Sequence, residues 1–578
     1  MRLLPPLVIA LISSACFLPS LSGSFLNWDD NVNFLDNPAY RGLGLEQIRW
    51  AVTTVLFGHY IPLTRLTWNT NYALGGLDPW GYHLINLALH AVNAAIFYFV
   101  ALRLLSAAVG DGAPRVRRDP DLAVGAALAA LVFGVHPLRV EVVAWISARA
   151  DLLCATFTLL AVLAYLRAVE DGGQARSRGI LVCALAFAAA ILSKGAALPL
   201  PATFFLLDLY PLRRLSRLGW RPLVREKIPL LLVLTAGVLT VVSALRQGAV
   251  LTQISAYGPI ARLTAVIYAG VMSLARFAWP ASLSPLYEMP AEIGLQQSRF
   301  GLAMGAAVFI TATLFALRRR WPAGLAAWTF SGLMLAPMSA AMRQGADLAP
   351  DRYSYLAGLG YAMLVGSAAF VMARLVRSGR SSRATAGLVG ASTLAGLVGL
   401  GAMSWSYAEV WRDSETLWRW AVEVDPECSV CHGKLGESAL KESAARVAEA
   451  EGAFRRAIAL RPDLPDAYLN LSSALAVQGR YAEAEQPLRN YMERVPQAVA
   501  GPERLGLLYL LQHRYEASVP LLQTALSRRP DAPGLRGYLV EALLGRAGEL
   551  RAQGRTPEAA AVAAQAAALG EGGGGIRP

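Results

Sequence analysis

The chain has 578 residues, of which 55% are hydrophobic and only 16% charged, and this balance excludes an ordinary soluble enzyme and favours a polytopic membrane protein. Its formal net charge is +13, but the arginines concentrate in short loops between apolar runs. Excess Lys and Arg in short loops marks the cytoplasmic side of a membrane. The positive net charge therefore indicates the membrane topology of the chain and predicts no nucleic-acid partner.

The first apolar run, residues 3–22, is interpreted as an uncleaved membrane helix, with a cleaved signal peptide as the alternative. Two adjacent carboxylates follow it, Asp29 and Asp30, between aromatic and amide side chains. At the exit of a membrane helix a carboxylate can act as a general base towards a hydroxyl or ligate a divalent ion. An Asx-rich turn that simply ends the helix is the alternative.

The first external loop, residues 23–82, is longer than a connector needs to be, which is typical of a functional loop with structure of its own. An amphipathic segment ends near Phe57, and the polar residues His59, Tyr60 and Arg65 follow it.

Apolar runs of about 20 residues predict eleven membrane spans. They are placed at about 3–22, 83–104, 121–137, 151–169, 179–193, 196–212, 228–247, 300–317, 322–340, 353–376 and 384–404. A further run, 261–283, would put Arg318–Arg320 outside if it crossed, so it is interpreted as interfacial or re-entrant. Basic loops, including Arg115, Arg117 and Arg118, then lie inside, and the C-terminal half lies outside.

Ionisable residues recur at the predicted external ends of the helices, where they are costly near lipid and therefore candidates for function. These residues are His136, Glu141, Arg149, Asp151, Lys194, Asp347, Asp351 and Arg352. Arginine binds phosphate through two hydrogen bonds and lysine as a point charge, so the set predicts a phosphate site. Mutual salt bridges, such as Arg149 with Asp151 or Glu141, are the alternative. Arg149 and Asp151 point about 200° apart on a helix, so we expect Arg149 to face the cavity.

The C-terminal half repeats itself. Asp425-Pro426, Arg461-Pro462, Val495-Pro496 and Arg529-Pro530 lie 36, 34 and 34 residues apart, which is the tetratricopeptide period. Residues 406–570 are therefore predicted to form an α-solenoid of about four units that docks protein, with a spacer or dimer contact as the alternative. The glycine-rich residues 571–578 are predicted to be a disordered tail.

Cys428, Cys431 and His432 have the spacing of a c-type haem attachment site. The start of a tetratricopeptide helix explains the histidine equally well. A disulfide or a pair of free thiols is the alternative.

Several segments match a known family in the same order along the chain. They are Trp28-Asp29-Asp30, Tyr60–Thr67, Asn71–Asn86, His136-Pro137 with Glu141, Ala148–Leu153, Lys194 and Asp351–Leu356. Together they resemble the transmembrane and tetratricopeptide-repeat-containing protein O-mannosyltransferases, as a bacterial-type member. Where eukaryotic relatives tend to have arginine this chain has Ile61, and Arg65 is the candidate substitute.

The resemblance implies an all-α, membrane-embedded GT-C glycosyltransferase domain at residues 1–405, in the bacterial inner membrane, with the repeats outside the cytoplasm. It maps the catalytic base to Asp29, with Asp30 beside it, and the contacts to the donor phosphate to Arg149, Lys194 and Arg352. Support is expected from His59, Tyr60, Arg65, His136, Glu141 and Asp151.

The resulting hypothesis is an inverting transfer of a hexose, mannose by the resemblance, from polyprenyl phosphate to Ser or Thr of proteins held by the repeats. No metal or other cofactor is expected. A lipid or cell-wall glycan acceptor is one alternative, and a non-catalytic membrane scaffold is another.

Overall fold

The computed structural model describes residues 3–110, 119–171, 173–247, 258–290, 292–337 and 347–571. In these ranges the chain is helical and contains no β-strand beyond two isolated bridges, so the predicted all-α class is confirmed. The chain folds into two compact units, residues 1–420 and 421–578. Arg115, Arg117 and Arg118, and residues 572–578 of the predicted tail, lie outside the described ranges.

The helices of the first unit follow the apolar runs, and Pro at the first turn begins many of them, since a helix needs no N–H donor there. In chain order they are α1 (Leu4–Ala15), α2 (Leu45–Thr53), α3 (Pro62–Gly75), α4 (Pro79–Val109), α5 (Pro120–Val135), α6 (Val140–Ala144), α7 (Arg149–Asp171), α8 (Gly173–Ser193), α9 (Leu200–Leu209), α10 (Arg214–Leu218), α11 (Trp220–Glu226), α12 (Ile228–Gln247), α13 (Pro259–Ala278), α14 (Ser298–Ala316), α15 (Pro322–Leu335), α16 (Ser354–Arg377), α17 (Arg383–Val410) and α18 (Ser414–Val424).

Eight described helices are long and apolar enough to cross a membrane, or nine if α5 and the bent segment after it, residues 137–144, form one span. Hydropathy along the sequence predicts eleven. The difference arises because α1, α9 and α15 are shorter than a full span, having 12, 10 and 14 residues. α13, which the sequence prediction leaves out of its spans, satisfies the length and composition of one.

α13 is one continuous helix of 20 residues rather than an interrupted segment, and it ends before Pro280. Ala265 and Ala269 share a buried cluster with Phe300, at the start of α14, and with Leu348 and Ala349. At its C-terminal end Arg276 donates to the carbonyl of Ala349. α13 is therefore held along much of its length by the segment that precedes α16.

Small residues allow the central helices of the first unit to approach closely. A Cβ atom on Gly125 of α5 would lie 2.7 Å from the carbonyl oxygen of Gly366 in α16, and one on Gly366 would lie 2.4 Å from the carbonyl oxygen of Gly125. Any larger residue would force the two helices apart. This contact fixes the middle of α16 against the N-terminal half of α5.

The second unit consists of four helix pairs in its described part, as the repeat predicts. They are α19 (Ser429–Glu442) with α20 (Val447–Leu460), α21 (Pro465–Val477) with α22 (Tyr481–Arg494), α23 (Ala500–Leu511) with α24 (Tyr515–Arg528), and α25 (Pro533–Ala552) with α26 (Thr556–Glu571). Equivalent ion pairs, Arg480 with Glu451 and Arg514 with Glu485, recur between successive pairs.

Cys428 and Cys431 form a disulfide at the start of α19, and both are buried. The sulfur of Cys428 accepts a hydrogen bond from the backbone N–H of Cys431, and His432 Nε2 lies 3.0 Å from the carbonyl oxygen of Pro426. The structure thus shows the disulfide, which is one of the alternatives to haem attachment.

Candidate functional site

The Trp28-Asp29-Asp30 segment leaves the short 3-10 turn after α1 and runs between the turn at residues 145–147 and the first residues of α18. The backbone N–H of Asn27 donates to Ser414 Oγ at 2.9 Å, and Trp418 Nε1 donates to Asn27 Oδ1 at 2.6 Å. The rings of Trp28 and Trp418 meet edge to face, 5.2 Å apart. The segment is thereby fixed on one side by α18.

The two adjacent carboxylates have different environments. Asp29 is exposed, with a backbone φ of 65°, a left-handed conformation that few non-glycine residues adopt. Asp30 is 0% exposed. Its carboxylate accepts hydrogen bonds from the backbone N–H groups of Leu26 and Ser147, at 3.0 and 3.1 Å, and from the Ser147 hydroxyl. Burial, and to a smaller extent the charge of Asp29, raise the pKa of Asp30 to about 7.

Two of the predicted phosphate-binding cations form buried ion pairs. Lys194 Nζ lies 2.6 Å from Asp151 Oδ2. Arg352 donates from Nη1 to Glu141 Oε1 and from its backbone N–H to Glu141 Oε2 at 2.7 Å, and Nη1 also lies 3.3 Å from Asp347 Oδ2. The salt-bridge alternative thus holds for the two carboxylates, although their cationic partners are Lys194 and Arg352 rather than Arg149.

A small cavity lies beside these pairs. Its lining includes Asp151 and Cys154 from α7, Arg352 from the turn before α16, and Tyr355 and Leu356 from the first turn of α16. Lys194 borders it through its ion pair with Asp151. The cavity therefore combines cationic groups with a limited space at one end of the bundle.

A larger apolar cavity follows along the same two helices. Thr158, Leu159 and Val162 of α7 and Leu359 and Met363 of α16 contribute to its wall, together with α4, α9 and α15. Cys154 of the small cavity and Thr158 of the large one are one helical turn apart, about 6 Å along the axis. A charged compartment and an apolar one thus lie in succession.

Arg149 does not face either cavity, contrary to expectation. It is fully buried, and it donates from Nε to Asn86 Oδ1 at 2.9 Å, from Nη1 to Asn71 Oδ1 at 2.6 Å and from Nη2 to the carbonyl of Tyr82 at 2.9 Å. These bonds join α3, α4 and α7. Arg149 consequently holds the first external loop to the bundle.

Arg65 and Tyr60, which are predicted to support the site, make hydrogen bonds within the first external loop. Arg65 is buried, donates to the backbone carbonyls of Thr54 and His59, and lies over the ring of Trp50. Tyr60 donates its hydroxyl proton to the carbonyl of Val52 at 2.8 Å. These contacts organise the loop on which the Asp29 segment packs.

His136 lies in the turn after α5, where it packs on α13. Its ring stacks on Phe277, and its Nε2 lies 3.0 Å from the Phe277 carbonyl oxygen. Nδ1 accepts from the backbone N–H of Leu138 at 3.2 Å. His136 therefore ties α13 to the turn that precedes α6, the helix that carries Glu141.

Four residues of the site do not stand out from the sequence. Trp145 and Ser147 contact the backbone and side chain of the Asp29 segment. Arg276 pairs with Asp351 at 3.1 Å and lies over the ring of Tyr287, whose hydroxyl donates to Asp351 Oδ2. A basic residue near the end of an apolar run is the available signal for Arg276, but its partner is 75 residues away.

Known proteins resemble parts of the chain. It is 36% identical over 185 residues to protein O-mannosyl-transferase TMTC4 of mouse (Mus musculus), covering 30% of this chain and 24% of that protein. It is 30% identical over 244 residues to mouse TMTC2, covering 40% of this chain and 27% of that protein. It is 38% identical over 122 residues to Tmtc3 of Drosophila melanogaster, covering 20% and 13%. The matches thus span 13 to 27% of the length of these relatives.

No family model matches the chain. Among solved structures, the crystal structure of MamA protein covers 28% of this chain at 17% identity, and that of the APC/C hetero-tetramer Cut9-Hcn1 covers 83% at 14% identity. They cover 86% and 96% of those chains, and both TM-scores are 0.24, too low to support a structural argument.

Proposed function

We propose that the chain is a member of the family of transmembrane and tetratricopeptide-repeat protein O-mannosyltransferases, to which parts of it are similar, and that it transfers a hexose, mannose, from a polyprenyl-phosphate carrier to Ser or Thr of extracytoplasmic proteins. The proposed location is the bacterial inner membrane, with the repeats on the outer side. We further propose a GT-C type mechanism with inversion at the anomeric carbon.

The difference between Asp29 and Asp30 is the observation that carries the proposal. The Asp30 carboxylate is buried and already accepts three hydrogen bonds, so it serves the fold. Asp29 is exposed and held in a backbone conformation that is costly for a non-glycine residue. Such strain is concentrated at functional sites, where the surrounding structure maintains it. A base that receives protons from a protein hydroxyl has to be reachable, and Asp29 meets that requirement.

The succession of a charged and an apolar cavity supports a lipid-linked donor. A phosphate at the small cavity would lie near Lys194 and Arg352, whose charges suit an anion. The part of the polyprenyl chain next to the phosphate would occupy the apolar cavity between α7 and α16. An acid partner on each cation holds it in place before the donor arrives and moderates the affinity for the phosphate.

The proposed reaction has one displacement step. Asp29 removes the proton of the acceptor hydroxyl while its oxygen forms a bond to the anomeric carbon of the sugar. The bond between that carbon and the phosphate oxygen breaks, and its electron pair leaves with the polyprenyl phosphate. Lys194 and Arg352 stabilise the charge that the phosphate gains. This scheme requires no metal ion and no other cofactor, so an excess of chelator is expected to leave the rate unchanged.

The four helix pairs of the second unit support a protein acceptor. Stacked pairs of this kind offer an extended surface that suits a peptide chain. We propose that the repeats bind the acceptor protein, while the sugar is transferred in the first unit.

The test is transfer of labelled mannose from a polyprenyl-phosphate donor by the purified full chain carrying Asp29→Asn. Loss of at least about a hundredfold in rate is expected, within the range that general bases contribute. Asp36→Asn, which changes an exposed aspartate of the same loop, should retain activity. Unchanged transfer by Asp29→Asn would exclude Asp29 as the base.

The cell fraction in which the mannose label is found distinguishes the possible classes of acceptor. Label in extracytoplasmic proteins supports the proposal, whereas label in lipid or cell-wall glycan would assign the other acceptor class. No transfer to any fraction by the wild-type protein would favour a scaffold.

A further inference from the structure

We propose that Trp145 and Ser147 are positioning residues that clamp the two neighbours of Asp29, Trp145 through the backbone carbonyl of Trp28 and Ser147 through the carboxylate of Asp30, and so hold the Asp29 carboxylate for proton removal. This inference rests on the proposed function, since it assigns the turn at residues 145–147 a role in that same reaction. Neither residue belongs to the acidic pair or to the cation set.

The clamp contacts the residues directly before and after Asp29. Trp145 Nε1 donates to the carbonyl oxygen of Trp28 at 2.9 Å, and Trp145 is 5% exposed. Ser147 donates from its backbone N–H, at 3.1 Å, and from its hydroxyl to Asp30 Oδ1. One turn therefore restrains both peptide neighbours of Asp29 and leaves the exposed side chain between them.

The conformation of Asp29 explains why a clamp is needed. A φ of 65° is a position that L-residues rarely adopt, and the chain has aspartate there rather than glycine. Without restraint on both neighbours, the backbone would relax towards negative φ, which rotates the direction of the Cα–Cβ bond. The carboxylate would then leave the place from which it reaches the acceptor oxygen.

The same tryptophan connects the base to the cation set. The guanidinium carbon of Arg352 lies 5.5 Å from the centroid of the Trp145 ring. Arg352 in turn is fixed by Glu141. Trp145 thus sets the position of the base segment relative to a cation that, in the proposed function, faces the donor phosphate.

Trp145→Phe separates the two contacts, because it removes the indole N–H and keeps a ring beside Arg352. We expect kcat to fall about tenfold, the effect of one hydrogen bond lost from the arrangement, while KM for the polyprenyl-phosphate donor stays unchanged. Ser147→Ala is expected to lower kcat as well, and Ser147→Thr, which restores a hydroxyl, is expected to recover most of it. Trp220→Phe is the control for a tryptophan-to-phenylalanine change outside the site, since Trp220 is 63% exposed and is the first residue of α11.

A double variant tests whether the clamp acts through Asp29. In the Asp29→Asn background, adding Trp145→Phe should cause no further loss in single-turnover rate, because the group being positioned is already absent. A full additional loss of about tenfold, or a Trp145→Phe protein with unchanged kcat and only a lower melting temperature, would overturn the clamp.

The clamp and the proposed function fail in different ways. Wild-type activity that survives Asp29→Asn refutes the base assignment whatever Trp145 does. Activity that requires Asp29 but tolerates Trp145→Phe and Ser147→Ala leaves the transferase intact and refutes only the clamp.

Discussion

Asp30→Asn tests whether burial or hydrogen bonding dominates at Asp30. Burial raises the pKa of this carboxyl to about 7, while the bonds from Leu26 and Ser147 oppose the shift. The unfolded chain loses the proton near pH 4 and the folded protein near pH 7, so the folded state binds more protons between these values. Stability contributed by the protonated carboxyl is therefore complete below about pH 4 and is lost as the pH rises through about 7.

The expected size follows from the difference between the two pKa values, about three, which corresponds to a free energy on the order of 4 kcal/mol. The asparagine side chain does not ionise, so the wild type should lose about this much unfolding free energy relative to Asp30→Asn between pH 4 and 7. Groups such as Asp347, whose pKa burial raises to about 6, titrate in both proteins and cancel in the difference.

The assay is thermal unfolding of both proteins in the same detergent, at a fixed heating rate, in steps from about pH 4 to 8. Asp36→Asn controls for the removal of an exposed carboxylate. A difference between wild type and Asp30→Asn that is constant over the whole range would refute the reasoning. It would mean that the hydrogen bonds keep Asp30 ionised in spite of its burial.

Three further predictions concern the cations and the topology. Lys194→Ala should destabilise the protein by about 3–5 kcal/mol because Asp151 is left buried and unpaired, and adding Asp151→Asn should restore melting temperature but not transfer. Arg149→Lys should lower the melting temperature, since one ammonium nitrogen cannot reach the three acceptors that Nε, Nη1 and Nη2 of Arg149 reach separately, whereas exposed Arg167→Lys should not. A reporter within residues 421–571 should read as extracytoplasmic in whole cells, as the eleven predicted spans require, and a cytoplasmic signal would mean an even number of crossings, such as results when α13 is added to the eleven.

Local patterns in the sequence are sufficient for the helical architecture and the position of the repeats. The 34-residue spacing of the prolines predicts the helix pairs, because each repeat is one local helix–turn–helix unit. The sequence also identifies Asp29 and Asp30 as candidate site residues, since two adjacent carboxylates after an apolar run are unusual. The sequence does not predict which of the two carboxylates is buried, because Ser147, which binds Asp30, is 117 positions away along the chain.

The partners of the predicted phosphate-binding cations cannot be predicted from the sequence. Helical periodicity correctly separates Arg149 from Asp151, yet it gives no information about Asn71 and Asn86, which accept hydrogen bonds from Arg149 on other helices. The pairing of Lys194 with Asp151 likewise depends on how α7 and α8 pack. The contacts of α13 with residues 347–351 arise from tertiary packing that hydropathy does not encode.

The apolar cavity has a consequence for which membranes could host this protein. Its wall on α16 extends from Leu359 to Ser367, a rise of about 12 Å, less than half of the roughly 30 Å hydrocarbon core. A polyprenyl carrier bound there would be recognised only near its phosphate, and the rest of its tail would remain among the lipids. Carriers that differ in the number of isoprene units share that proximal part. We expect the protein to use donors with short and long polyprenyl carriers alike. Producing the protein in a cell whose carrier has a different number of isoprene units should not abolish its activity.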